Sequence, residues 1–139
     1  MTMGTSTMTS ERFEMAASAE RIPATAQRIA RLGATAGLDA QACFQLQVVV
    51  TEVLNNIVQH ALRGDSSASV EIRCGVGNGG FEVTTVDHGL PMQFPPTRNF
   101  PETQAESSRG WPIIFSWVDH VDFSTRGDGN VLTLRKNLP

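Results

Sequence analysis

The chain has a single lysine, Lys136; the other ten of its 11 basic residues are arginines. That scarcity excludes two common nucleotide machineries. A P-loop needs a lysine after its glycine-rich turn, and a eukaryotic-type protein kinase needs one on an early strand to hold the phosphates. Cysteine is also scarce. Cys43 and Cys74 stand apart in apolar segments, which suits buried thiols in a reducing compartment rather than a disulfide framework or a metal cluster. No window reaches the roughly 18 consecutive apolar residues of a membrane span. The first residues, 1–11, are rich in Thr and Ser and lack the apolar core of a signal peptide. They are expected to form a disordered tail on a cytoplasmic protein. Basic charge is in deficit too: 11 basic against 14 acidic residues gives −3, so no basic face for nucleic acid or membrane surface is expected.

What is present is one domain's worth of chain, 139 residues with 40% apolar and 18% charged side chains. Residues 12–139 are expected to form that domain. Alternation predicts a strand over Arg12–Ala17, and a 3.6-residue period takes over from Pro23 until Gly37. A longer helix is expected from an Asp39 N-cap to Leu62, with Gly64 ending it. Then the period becomes two: Ala68–Cys74 and Phe81–Asp87 read as a hairpin around Gly75–Gly80. Five of the seven prolines lie between Pro91 and Pro112, which predicts a long lid-like loop at about 91–109. A short helix over Ile113–Val118 and a last hairpin follow, Val121–Arg126 and Val131–Arg135 around Gly127-Asp128-Gly129-Asn130. Clustered helices with hairpin strands predict an α+β fold, a two-layer α/β sandwich. Its sheet would be mixed but mostly antiparallel, with helices on one face.

Three segments carry chemistry. On the long helix, Glu52, Asn55, Asn56, Gln59 and His60 share one face, opposite Val53, Leu54, Ile57, Val58 and Ala61. A solvated face would read the same way, but such faces usually carry Lys, Glu and Arg rather than two Asn and a His. A carboxamide oxygen suits Mg²⁺, and a carboxylate one turn earlier suits proton acceptance during phosphoryl transfer. The second segment, Val86-Asp87-His88-Gly89-Leu90-Pro91, puts a carboxylate and a glycine at a strand end, which is also plain turn chemistry. The third, Ser107-Ser108-Arg109-Gly110-Trp111-Pro112, is a small-residue turn entering a helix, a place where backbone N–H groups can meet phosphate. A serine hydrolase would need a Gly-x-Ser-x-Gly elbow, which is missing. His60, His88 and His120 lack the clustered spacing of a metal site.

In this order and spacing the three segments resemble the GHKL, or Bergerat-fold, ATPase family. TEVLNNIVQHAL, VDHGLPM, RGWPIIFSWVDHVDF and GNVLTLRKNL look most like its anti-sigma factor serine/threonine kinase branch, of RsbW and SpoIIAB type. The resemblance spans about residues 12–138. It implies a Bergerat ATP-binding fold with ATP and Mg²⁺ as cofactors. Asn56 would hold the metal, Glu52 would be the general base, and Asp87 would take the adenine amino group with Gly89 allowing close approach of the base. Arg109 and Gly110 would meet phosphates. Thr133 would support the adenine-binding Asp, and His60 would lie beside the nucleotide.

The implied activity is phosphorylation of a STAS-domain anti-anti-sigma factor and sequestration of an RNA polymerase sigma factor by a homodimer. The alternative is a catalytically weak or inactive ATP-fold module that regulates a partner by sequestration alone. Pro91 stands where the family often has a second glycine of its first box. Ser108 replaces the opening glycine of the second, and Trp111 and Pro112 replace smaller or more flexible residues.

Overall fold

The computed structural model describes residues 10–91, 116–126 and 129–139. The chain runs β1 (Glu11–Ala16), a 3₁₀ turn (Ala19–Arg21), α1 (Ile22–Ala36) and α2 (Ala40–Asn56), which continues into a π-helical turn (Ile57–Ala61). Then come β2 (Ser69–Gly77), β3 (Gly80–Asp87), β4 (His120–Arg126) and β5 (Gly129–Asn137). The five strands form one sheet in the order β1-β2-β3-β5-β4. Every pairing is antiparallel, so the expected mixed sheet is antiparallel throughout its described strands.

Each element follows from local chemistry. Ser18 caps the 3₁₀ turn, and Pro23 at the start of α1 occupies a position whose N–H would have no helical partner. Gly37 ends α1 at φ +121°, its N–H reaching the carbonyls of Ala34 and Gly33. Asp39 caps α2 as expected, its Oδ1 accepting the Ala42 N–H at 2.8 Å. The β2–β3 strands run further than their pattern suggests, because Asn78 and Gly79, at φ +54° and +80°, suffice to close the hairpin. Two residues with left-handed backbone match the natural twist of paired strands.

The core lies between the helices and one face of the sheet. Leu46, Val49, Val50, Val53, Leu54, Ile57, Val58 and Ala61 recur every three or four residues along α2 and its extension, and all are buried. They face the alternate residues Val70, Ile72 and Cys74 of β2, Phe81 and Val83 of β3, and Leu132 and Leu134 of β5. The opposite face is polar: Glu71 pairs with Arg12 and Arg73, each at 2.7 Å. Arg28 of α1 ties to β1 through Glu11 at 2.8 Å and lies 3.8 Å over the Phe13 ring. Most of the anticipated lid, most of the short helix over Ile113–Val118, the tail up to residue 9 and Gly127-Asp128 lie outside the described residues; Ser116 and Trp117 are helical.

Candidate functional site

The site grows from the junction of β3 with the end of α2. β3 alternates strictly: Phe81, Val83, Thr85 and Asp87 face inward, so a carboxylate ends a row that starts with the largest core ring. Asp87 is only 1% exposed. A charge so enclosed needs donors, and two converge on one oxygen. Its Oδ1 accepts the Gly89 N–H at 2.9 Å and the Asn130 Nδ2–H at 2.9 Å. Its Oδ2 accepts no hydrogen bond from a described residue. Asn130 also donates to the Leu90 carbonyl at 2.9 Å, so one carboxamide braces both the carboxylate and the loop after it.

Asn130 has no place in the sequence expectation, which gave the supporting role to Thr133. The β3–β5 register explains the difference. Asp87 stands opposite Asn130, and Thr133 stands opposite Thr84 on the other face of the sheet, where their hydroxyls share a 2.9 Å hydrogen bond. A turn over Gly127-Asp128-Gly129-Asn130 leaves Gly129 and Asn130 out of the strand that places them. Once β5 begins at Gly129, a period of two puts Asn130, Leu132 and Leu134 inward and Thr133 outward. Gly129 has its own reason to be glycine: a Cβ there would overlap the Asp87 carbonyl.

Gly89 has a reason to be glycine within the protein itself. Its close approach is to the protein: a Cβ would lie 2.6 Å from the Ala61 carbonyl carbon and 2.8 Å from Leu62 Cδ2. The next residue completes the joint, with the Leu90 N–H donating to the Ala61 carbonyl at 2.8 Å. The helix expected to run unbroken to Leu62 widens here. Leu62 N–H reaches back five residues to the Ile57 carbonyl at 2.9 Å, a π turn of the kind that often marks functional positions. Arg63 and Gly64, both at positive φ, then close the helix. An open cleft of about 730 Å³ adjoins this joint, lined by Ala61 and Leu62 at the helix end, by Arg63, Asp65 and Ala68, and by His88–Pro91. It does not touch Glu52, Asn56 or Asp87.

On α2 the expected polar stripe is present. Glu52 and Asn56 are half-buried, while Asn55, Gln59 and His60 are exposed. Asn56 donates Nδ2–H to the Glu52 backbone carbonyl at 2.8 Å. Only the nitrogen of a carboxamide can donate, so this bond fixes the amide and turns Oδ1 outward as an acceptor. Among the described residues no three His, Cys, Asp or Glu side chains gather to hold a metal. Lys136 serves the fold, its Nζ donating to Gln45 Oε1 at 2.6 Å and to the Trp117 carbonyl at 2.8 Å. Arg109 and Gly110 lie outside the described residues.

Residues 15–136 match the family model described as a histidine kinase-like ATPase domain. The chain belongs to that family. Solved structures agree on the fold. The histidine kinase domain of the blue-light activated histidine kinase of Erythrobacter litoralis EL346 is similar at 23% identity and a TM-score of 0.54, over 84% of this chain and 61% of that one. The Erythrobacter litoralis EL346 blue-light activated histidine kinase itself is similar at 20% identity and a TM-score of 0.55, over 86% of this chain and 40% of that one. This ATPase domain thus spans about two-fifths to three-fifths of the length of those proteins. No curated protein matches it. None of its described helices is long and apolar enough to cross a membrane.

Membership implies ATP binding, and the described residues fit a nucleotide. Asp87 keeps an acceptor oxygen inside the domain, Asn56 keeps a carbonyl oxygen on the helix, and Thr85 holds a buried hydroxyl with no hydrogen-bond partner.

Proposed function

We propose that this ATPase domain is an ATP-dependent serine/threonine protein kinase of the anti-sigma factor type. It would bind Mg-ATP, phosphorylate a STAS-domain anti-anti-sigma factor and sequester a sigma factor as a homodimer. The observation that carries the nucleotide part is Asp87, a carboxylate fixed on one oxygen by Gly89 and Asn130 and left an acceptor on the other. An acceptor-only group in that setting recognises a donor, such as the exocyclic amino group of adenine.

Bound Mg-ATP supplies the phosphoryl group and the positive charge that offsets its charge in transfer. The chain's own residues supply position. Asp87 orients the base, and Asn56 offers Oδ1 as a neutral hard ligand. Glu52 would accept the proton of an attacking serine or threonine hydroxyl. The finer reading, an anti-sigma kinase rather than another ATPase of this family, rests on the likeness of the TEVLNNIVQHAL, VDHGLPM and closing GNVLTLRKNL segments.

The test combines binding and transfer. Mg-ATP at millimolar concentration should raise the melting temperature of the wild type, and Asp87→Asn should abolish the shift. With labelled ATP and a STAS-domain protein, the wild type should transfer label to a serine or threonine. Glu52→Ala should lose the transfer and keep ATP binding. A wild type that binds ATP but never labels the partner is a sequestering module. One that shows no shift with ATP overturns the reading.

A further inference from the structure

Thr85 is buried at 2% exposure, and its Oγ1 has no hydrogen-bond partner among the described residues. The contrast with its neighbour is informative. Thr84, on the outer face of β3, shares its hydroxyl with Thr133 at 2.9 Å. Thr85 faces the core, where its cross-strand neighbours are Ile72 on β2 and Leu132 on β5, and Val83 precedes it in the row. None of the three can accept or donate. A strand also gives a threonine no carbonyl one turn back to bond, as a helix does. Valine has the same shape and would fit this apolar row, so the hydroxyl is a cost to the fold that valine would remove.

Two residues further along the same inward row stands Asp87, with its acceptor oxygen. Successive inward residues on a strand lie about 7 Å apart, a separation that one bound molecule, or one molecule and an ordered water, can span. The carboxylate only accepts, whereas the hydroxyl can donate.

We propose that Thr85 is a specificity-determining residue of the nucleotide pocket, its hydroxyl donating to an acceptor nitrogen of the base, directly or through one water, while Asp87 takes the base's amino hydrogen. The inference rests on the nucleotide reading above and adds the ligand's polarity. The pair matches a base edge with a donor beside an acceptor, the edge adenine presents, and sets the Asp87 carboxylate against the carbonyl oxygen of guanine.

The experiment measures Mg-ATP and Mg-GTP binding by calorimetry, and urea unfolding without nucleotide, for the wild type, Thr85→Val and Thr85→Ser. Thr85→Val should weaken ATP binding roughly tenfold, the worth of one well-made hydrogen bond, and narrow the preference for ATP over GTP. Its stability without nucleotide should equal or exceed that of the wild type. Thr85→Ser keeps the hydroxyl and should stay within a few fold of wild-type affinity. Thr85→Val binding ATP as tightly as the wild type overturns the proposal. So does a Thr85→Val protein that is less stable without nucleotide, because the hydroxyl then serves the fold. A wild type that binds neither nucleotide overturns the parent reading, and this one with it.

Discussion

At the scale of single residues, the site depends on contacts between parts of the chain far apart in sequence. Asp87 was legible as a strand-end carboxylate, though Asp-x-Gly after an alternating run is equally plain turn chemistry. Its brace, Asn130, lies 43 positions away and is set by strand register alone. Gly89 shows the same dependence. Its backbone is not in the left-handed region, so the need for glycine comes from the Ala61 carbonyl rather than from φ. Gly89→Ala must push the loop off the helix end, and overpacking of this kind costs about 1–3 kcal/mol. Urea unfolding should show that loss, and Asp87, whose Oδ1 accepts the residue-89 N–H, should lose nucleotide affinity with it.

At the scale of elements, helix starts and the faces of β2 and β3 were legible and the end of α2 was not. Asp39 is an N-cap in the sequence and in the structure, with its Oδ1 on the Ala42 N–H. Asp39→Ala should therefore cost about 1 kcal/mol. For a domain of this size, a calorimetric scan should register that as a melting point lower by roughly 2–5 °C. The π turn at Ile57–Ala61 leaves no mark in the hydrophobic period, since Ile57, Val58 and Ala61 stay buried just as an α-helix would place them. The widened turn coincides with the helix–loop joint at Ala61 and Leu90, which belongs to the tertiary structure.

At the scale of the whole molecule, the inward row of β2 ends at a thiol whose titration couples to folding. Burial, with a smaller contribution from the Glu11 carboxylate across the strand pair, pushes the Cys74 thiol up from 9.0 to about 12. The folded chain holds this proton more tightly than the unfolded chain does. The stability it contributes is fully present below pH 9 and is lost as pH rises from there toward 12. Each pH unit in that window should remove about 1.4 kcal/mol through this group. Urea midpoints at pH 8 and pH 10 should thus fall further apart in the wild type than in Cys74→Ala.

The same scale separates what the sequence alone determined from what tertiary structure decided. Local periodicity and turn chemistry act between neighbours, so the α+β class, the order of elements, the polar face of α2 and the candidates Glu52, Asn56 and Asp87 could be read directly. Which strand lies beside which is a matter of long-range packing. The order β1-β2-β3-β5-β4, fixed in its β3–β5 register, sets Asn130 against Asp87, sends Thr133 to the far face and leaves Thr85 unpaired inside. A hydrogen-bond partner is chosen by distance in space, and that distance exists only once the sheet has closed its register.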